Sequence, residues 1–380
     1  MRFRVERDEF ADAVGWVTRG LPSRPAVPVL AGVLLETDDG RVSLSTFDHQ
    51  VSSQTSLDAV DTVAGRVLVS GHLLAPIART LPDHPVEISV QENRARLHCG
   101  PVRFNLPLMP VEDHPVPPPM PPAAGRVHGA RFAAAVTQVA TAVGRDEALP
   151  MLTGVHLSVS AETLTLSTTD RYRLAVCELP WEPVRPGLVD SVLVPARMLT
   201  ETARALASAS TVTLCLPDDG TRGGGHDGGM IGIDAGDRRT MARLLDVSFP
   251  RVEQLWPLVS PTVAELPART LVDAIGRVCL VAGPRTPVHL SFEPGTIRVS
   301  AGEPDEANAE QDLSADVSGE PVTVTITAPY LLDGLRGAGT RLVRLALTSS
   351  GKPVVIAAVP SGVGPSTTGF RYLAMSLRMS

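Results

Sequence analysis

The feature that most constrains this chain is an internal repeat. Phe10, Val14 and Val17 fall at i, i+4 and i+7, the apolar stripe of an amphipathic helix. The stripe returns as Phe132, Val136 and Val139, and again as Leu271, Ile275 and Val278. Each of the first two stripes is followed by matching segments. Pro28-Val29-Leu30-Ala31-Gly32-Val33 corresponds to Pro150-Met151-Leu152-Thr153-Gly154-Val155, and Leu44-Ser45-Thr46-Phe47-Asp48 to Leu166-Ser167-Thr168-Thr169-Asp170. Every matched pair stands 122 positions apart, from Phe10 and Phe132 to Asp48 and Asp170, with no gap. Self-similarity held over such a distance means one supersecondary unit used repeatedly.

The third copy is weaker: its stripe is followed by Pro287 to Phe292 and by the alternating Thr296-Ile297-Arg298-Val299-Ser300. The second half of each copy has a common build. Val67-Leu68-Val69, Val192-Leu193-Val194 and Val322-Thr323-Val324 read as strands, each leading into a short helix with leucines at Leu73 to Leu81, Leu199 to Leu206 and Leu331 to Leu335. Further strands follow at Val86 to Val90 and Thr211 to Leu216. The expected fold is α+β, with two helices packed on antiparallel sheets in each of three repeated domains. Proline-rich connections at Val116 to Pro122 and Trp256 to Pro261 set the expected domains at 1–121, 125–256 and 258–380.

A chain of 380 residues is too long for one core, and 43% hydrophobic with 20% charged residues is a globular composition. The segment Met1 to Glu6 has no apolar signal-peptide core, and no apolar run reaches the length of a membrane helix, so a cytoplasmic protein without membrane contact is expected. Cys99, Cys177, Cys215 and Cys279 are scattered singly and read as small buried hydrophobes, not metal ligands. The glycine run Gly223 to Gly229 lacks the Lys-Ser/Thr of a phosphate loop, and Glu303, Asp305 and Glu306 read as a solvated turn. No nucleophile, zinc-binding or paired-carboxylate motif is present, and a triplicated scaffold makes no obvious active site. No catalytic residue, metal or cofactor is therefore assigned. The net charge of −7 opposes a uniformly basic nucleic-acid surface, but not a basic lining segregated to one face.

The order of these motifs resembles the bacterial DNA polymerase III beta subunit, the sliding clamp. The resemblance runs from Met1 to near Ser380 and is carried by Arg24-Pro25, Leu68-Val69-Ser70-Gly71, Pro85-Val86-Glu87-Ile88, Thr169 to Val176, Phe249-Pro250 and Tyr372 to Arg378. With Lys352 as its single lysine and abundant Ala, Gly and Pro, the chain is similar to high-GC, actinobacterial members. The resemblance implies a non-catalytic, head-to-tail homodimeric ring around double-stranded DNA, with helices lining the hole. It would tether the polymerase alpha subunit, clamp loader and repair proteins through short linear motifs.

The resemblance also implies three sets of residues. Arg19, Arg79, Arg197, Arg204, Arg277 and Arg336 on the six expected helices, with Arg24 just beyond the first, would face DNA. Leu152, Thr169, Arg171, Tyr172, Arg173, Leu174, Pro250, Leu255, Leu373, Met375, Ser376, Leu377 and Arg378 would form the peptide pocket. Phe104 and Leu106 on an edge strand would meet Cys279 and Leu280 of the partner. Three positions depart from the family's habit: proline usually stands at Ser376, an aromatic at Val252 and leucine near Met379. Their concentration at the pocket gives the alternative reading, a second-copy clamp altered to resist a pocket-binding inhibitor.

Overall fold

Six α-helices occur among the described residues of the computed structural model, which are 1–185, 187–217, 229–281, 287–302, 307–359 and 369–377. Each helix follows a strand at once or after a single residue. Strand Arg2–Val5 leads into α1 (Arg7–Val17), Gly65–Ser70 into α2 (Gly71–Thr80) and Ala123–Val127 into α3 (Gly129–Val139). Val189–Pro195 leads into α4 (Ala196–Ala205), Thr262–Pro267 into α5 (Ala268–Val278) and Val322–Thr327 into α6 (Ala328–Gly337). The helices pack in pairs, α1 on α2, α3 on α4 and α5 on α6. The apolar stripes are the buried faces: Phe10, Val14 and Val17 in α1, Phe132, Val136 and Val139 in α3, Leu271, Ile275 and Val278 in α5. Each such side chain contributes roughly 1.5–3 kcal/mol by leaving water.

The repeat extends to hydrogen bonds and backbone angles. Thr46 Oγ1 donates to the carbonyl of Val17, and Thr168 Oγ1 to that of Val139, tying strand to helix at equivalent places. Asp48 Oδ1 accepts the amides of Gln50 and Val51, as Asp170 Oδ1 accepts those of Tyr172 and Arg173. The residue after each aspartate takes a left-handed conformation, His49 at φ 70° and Arg171 at φ 81°. The aspartate side chain bonds the amides two and three residues on and so compensates for that backbone.

The chain divides into two compact units, Met1–Val127 with Ser208–Leu244, and His128–Ala207 with Leu245–Ser380. In the first, antiparallel strands run in the order Ala123–Val127, Val212–Cys215, Met230–Asp234, Arg238–Arg243, Val51–Asp58, Arg41–Phe47, Gly32–Asp38, Gly65–Ser70, Val102–Met109, Arg94–Cys99, Val86–Gln91, Arg2–Val5 and Val60–Val63. In the second, a nine-stranded sheet runs Val189–Pro195, Gly154–Ser160, Thr163–Thr169, Arg173–Pro180, Arg371–Ala374, Val354–Ala358, Leu342–Leu347, Thr262–Pro267 and Asp316–Ser318. A separate four-stranded sheet contains Asn308–Ser314, Thr296–Gly302, Pro287–Glu293 and Val322–Thr327. Strand pairing crosses the repeat boundaries, Arg238–Arg243 on Val51–Asp58 and Arg371–Ala374 on Arg173–Pro180. Continuous sheets are therefore why compact units and sequence repeats do not coincide. The glycine run from Gly223 to Gly228 and the residues Glu303, Asp305 and Glu306 lie outside the described residues.

Candidate functional site

In the second unit the turn Thr169 to Arg173 is built by its own side chains. Thr169 Oγ1 donates to the Arg173 carbonyl at 2.7 Å and accepts the Arg171 amide at 3.2 Å. Arg173, with its side chain only 10% exposed, pairs with Asp170 at 2.9 Å and with Asp333 on α6. Its guanidinium also lies 4.8 Å from the centre of the Tyr330 ring. Burial alone would lower its pKa, but Tyr372, Asp333 and Asp170 outweigh that and hold the charge above the usual arginine value. Burial pushes the Tyr372 phenol upward, so it stays protonated and donates to the Tyr330 carbonyl at 2.9 Å. Arg173 thus acts as the fastener of this turn to α6. Tyr172 is left 53% exposed, its ring stacked at 6.1 Å on Tyr330 and approached by Arg171 at 5.9 Å.

Leu174 and Leu373 come together on adjacent strands with Val176 and Val252 in one buried cluster, against which Phe249, Trp256 and Val355 pack. Of these, Leu174 and Leu373 belong to the sequence-derived pocket. Val176 and Trp256 do not, and Val252 entered only as a departure from the family's habit at the pocket, although alternation already puts Leu174 and Val176 on one face. Pro250 is half-buried and Leu255 42% exposed beside this cluster in sequence, while Leu152 is buried in the short 3-10 turn Pro150–Leu152. The chain then leaves the strand as a pinned terminal segment. The Met375 amide donates to the Tyr172 carbonyl at 2.8 Å and the Leu377 amide to the Thr325 carbonyl at 2.7 Å. Ser376 Oγ donates to the Lys352 carbonyl at 2.7 Å. Met375 and Leu377 keep 37% and 43% of their surface exposed. Arg378 lies outside the described residues. The outcome is a fixed terminal edge that leaves two apolar side chains exposed next to a buried apolar cluster.

His156 stacks on Phe249 with ring centres 4.7 Å apart and planes within 3°. Burial lowers its pKa, against a smaller upward pull from Glu253, and burial likewise lowers that of His114 in the first unit. Unfolded histidine titrates near 6.5, so the unfolded chain takes up these protons first as pH falls. Stability is therefore fully present above about pH 6.5 and is lost as pH falls toward the depressed native values. Melting temperatures at pH 7.5 and 5.5 should show the loss, and His156→Phe, which keeps the stack, should reduce it. An unchanged pH dependence in that variant would assign the effect elsewhere.

Arg19, Arg24, Arg79, Arg197, Arg204, Arg277 and Arg336 are all exposed. They differ in their partners. Arg197 pairs with Glu201 at 3.2 Å, Arg277 donates to Gln311 at 2.9 Å, and Arg19 sits 5.7 Å over the Trp16 ring. Arg19, expected on the first helix, lies in the turn just after α1, which ends at Val17, and Arg24 lies in the loop beyond it. At the proposed interface, strand Val102–Met109 pairs along Arg94–Cys99 on one side, but with Gly65–Ser70 only at Leu108 and Met109. The other side of residues 102–107, where Phe104 is half-buried and Leu106 buried, has no strand partner among the described residues. At the end of α5, Cys279 is half-buried, while Leu280 is 83% and Val281 39% exposed. Among the described residues no three His, Cys, Asp or Glu side chains group as metal ligands, and no helix is long and apolar enough to cross a membrane.

Three comparisons accord with this architecture. Family models for the N-terminal, central and C-terminal domains of the DNA polymerase III beta subunit match residues 1–118, 126–251 and 253–363. The chain is 43% identical over 380 residues to the beta sliding clamp of Streptomyces coelicolor, covering all of both chains. It is 37% identical over 378 residues to the beta sliding clamp homolog GriR of Streptomyces muensis, covering 100% of this chain and 99% of that one. A crystal structure of a Pseudomonas aeruginosa sliding clamp bound to griselimycin superposes with a TM-score of 0.90 at 24% identity, with both chains fully covered. Three α+β clamp domains with paired helices on antiparallel sheets define the class, a sliding clamp of DNA replication. The chain belongs to the DNA polymerase III beta subunit family.

Proposed function

We propose that two copies of this chain close head to tail into a ring around duplex DNA, acting in the cytoplasm as a processivity factor with no catalytic role of its own. The observation that carries the reading is the threefold succession of strand and helix pairs, which makes a six-part ring only when two chains join. Clamp domains at 1–121, 125–256 and 258–380 are supported by the ranges of the three family matches. Exposed arginines on or near the helices supply contacts to phosphate, which hold without reading sequence and so permit sliding. The side of 102–107 without a strand partner among the described residues and the exposed Leu280 and Val281 supply the two halves of a subunit contact. The exposed Met375 and Leu377, backed by the buried Leu174 and Leu373, receive Leu/Phe-containing segments of the polymerase, clamp loader and repair proteins. Sedimentation at micromolar concentration should give twice the 40.1 kDa chain mass. A monomer or trimer would contradict the ring.

A second reading, a clamp copy altered against a pocket-binding inhibitor, has specific support. Ser376 is hydroxyl-bonded to the Lys352 carbonyl where the family habit is proline, and Val252 sits in the buried cluster with Leu174 and Leu373. The likeness to the GriR homolog and to a clamp that binds griselimycin makes that compound the probe. Calorimetry decides it: resistance requires that griselimycin bind far more weakly than a clamp-binding peptide, and comparable affinities would remove this reading.

A further inference from the structure

The terminal segment of the second unit is gripped between two turns. On one side the Met375 amide donates to the Tyr172 carbonyl at 2.8 Å, and on the other Ser376 Oγ donates to the Lys352 carbonyl at 2.7 Å. Strand pairing leads into this arrangement, since Val354, two residues after Lys352, stands opposite Ala374, two residues before Ser376. Each turn depends on a residue in the left-handed region. The first has Arg171 at φ 81°, compensated by Asp170, whose side chain accepts the amides of Tyr172 and Arg173. The second closes with the Lys352 amide donating to the Ser349 carbonyl at 3.2 Å, around Gly351 at φ 74°.

Each turn also carries one exposed cation. Arg171 lies 5.9 Å from the centre of the Tyr172 ring, and Lys352 is the single lysine of the chain. Among the described residues neither side chain has a hydrogen bond or ion pair. The neighbouring carboxylates are committed elsewhere: Asp170 and Asp333 hold Arg173, and Glu178 holds Arg371 at 2.7 Å. Arg251 and Glu253, both exposed on either side of the buried Val252, cancel in charge. The exposed Met375 and Leu377 therefore stand between two uncompensated positive charges, in a chain whose net charge is −7. Charge of that sign draws acidic partners and discriminates against basic ones. A carboxylate that meets Arg171 or Lys352 displaces only water and counterions, whereas Arg173 would first have to release its own partners.

We propose that Arg171 and Lys352 select acidic residues flanking the apolar core of the peptide that docks here. The inference rests on the peptide-docking function proposed above and gives that site a charge preference. Met375 and Leu377 supply affinity, and the two cations discriminate among peptides of equal apolar content. The test uses the full-length protein and two fluorescent peptides with the same Leu/Phe core, flanked by aspartate in one and by asparagine in the other. At low salt the parent should bind the aspartate peptide about tenfold more tightly, the order of effect that two exposed charge pairs give together. The preference should shrink toward parity at about 0.5 M salt. The Arg171→Asn, Lys352→Gln double variant should lose the preference and keep the parent's affinity for the asparagine peptide. Asparagine tolerates the left-handed region, so the turn and the melting temperature should be retained. The Arg171→Lys, Lys352→Arg double variant, which keeps both charges, should keep the preference. Equal affinities in the parent, a preference that survives neutralisation, or a fall for both peptides alike overturns the assignment and leaves the docking site standing. A parent protein that binds neither peptide overturns both.

Discussion

Deletion of residues 375–380 is expected to abolish binding of a Leu/Phe-containing clamp-binding peptide while leaving the dimer intact. The deletion removes two exposed apolar side chains, Met375 and Leu377, together with the three hydrogen bonds that fix their backbone against Tyr172, Thr325 and Lys352. Two desolvated anchors of about 2 kcal/mol each amount to roughly a thousandfold in affinity. Leu373 remains in the cluster with Leu174, Val176 and Val252, so the sheet beneath the surface persists. A Met375→Ala, Leu377→Ala double variant keeps all three hydrogen bonds and separates lost contact from lost order. Calorimetric titration against one peptide reads both proteins. Parent-like affinity in the truncated chain would mean that the pocket lies elsewhere.

Leu280→Asp is expected to convert the dimer to monomers. Leu280 has 83% of its surface exposed beside Val281, an apolar pair that a soluble chain gains by covering. A carboxylate there meets an apolar partner surface and loses its hydration without compensation, a cost of several kcal/mol. A head-to-tail ring contains that contact twice, so about 3 kcal/mol at each raises the dissociation constant by roughly ten-thousandfold. Sedimentation velocity at micromolar concentration should then show the 40.1 kDa chain alone. An undiminished dimer would place the subunit contact on another surface.

What the sequence disclosed was local and periodic. The apolar stripes of α1, α3 and α5 announced helices because burial on one face recurs every three to four residues, and each stripe is the buried face. Asp48 and Asp170 were legible as equivalent positions, and the turns they organise are indeed alike. What stayed hidden depends on residues distant in the chain. Arg173 reads as a pocket residue by resemblance, yet its side chain is committed to Asp170 and to Asp333, 160 positions away. Ser376 reads as a departure from proline, whereas its hydroxyl anchors the terminal segment to Lys352. The division into two units was equally invisible, because pairing such as Arg238–Arg243 on Val51–Asp58 joins copies that the sequence presents separately.

The central claim is topological, and retention on closed and open DNA tests it most directly. The parent protein is loaded by a bacterial clamp loader onto a nicked circular plasmid and passed through a sizing column at a salt concentration that screens phosphate contacts. One half of the sample is first cut once with a restriction enzyme. A ring that encircles DNA stays with the circle and slides off the linear ends, so the protein should co-elute with circular DNA alone. Equal retention on both forms, or equal loss from both, would contradict encirclement.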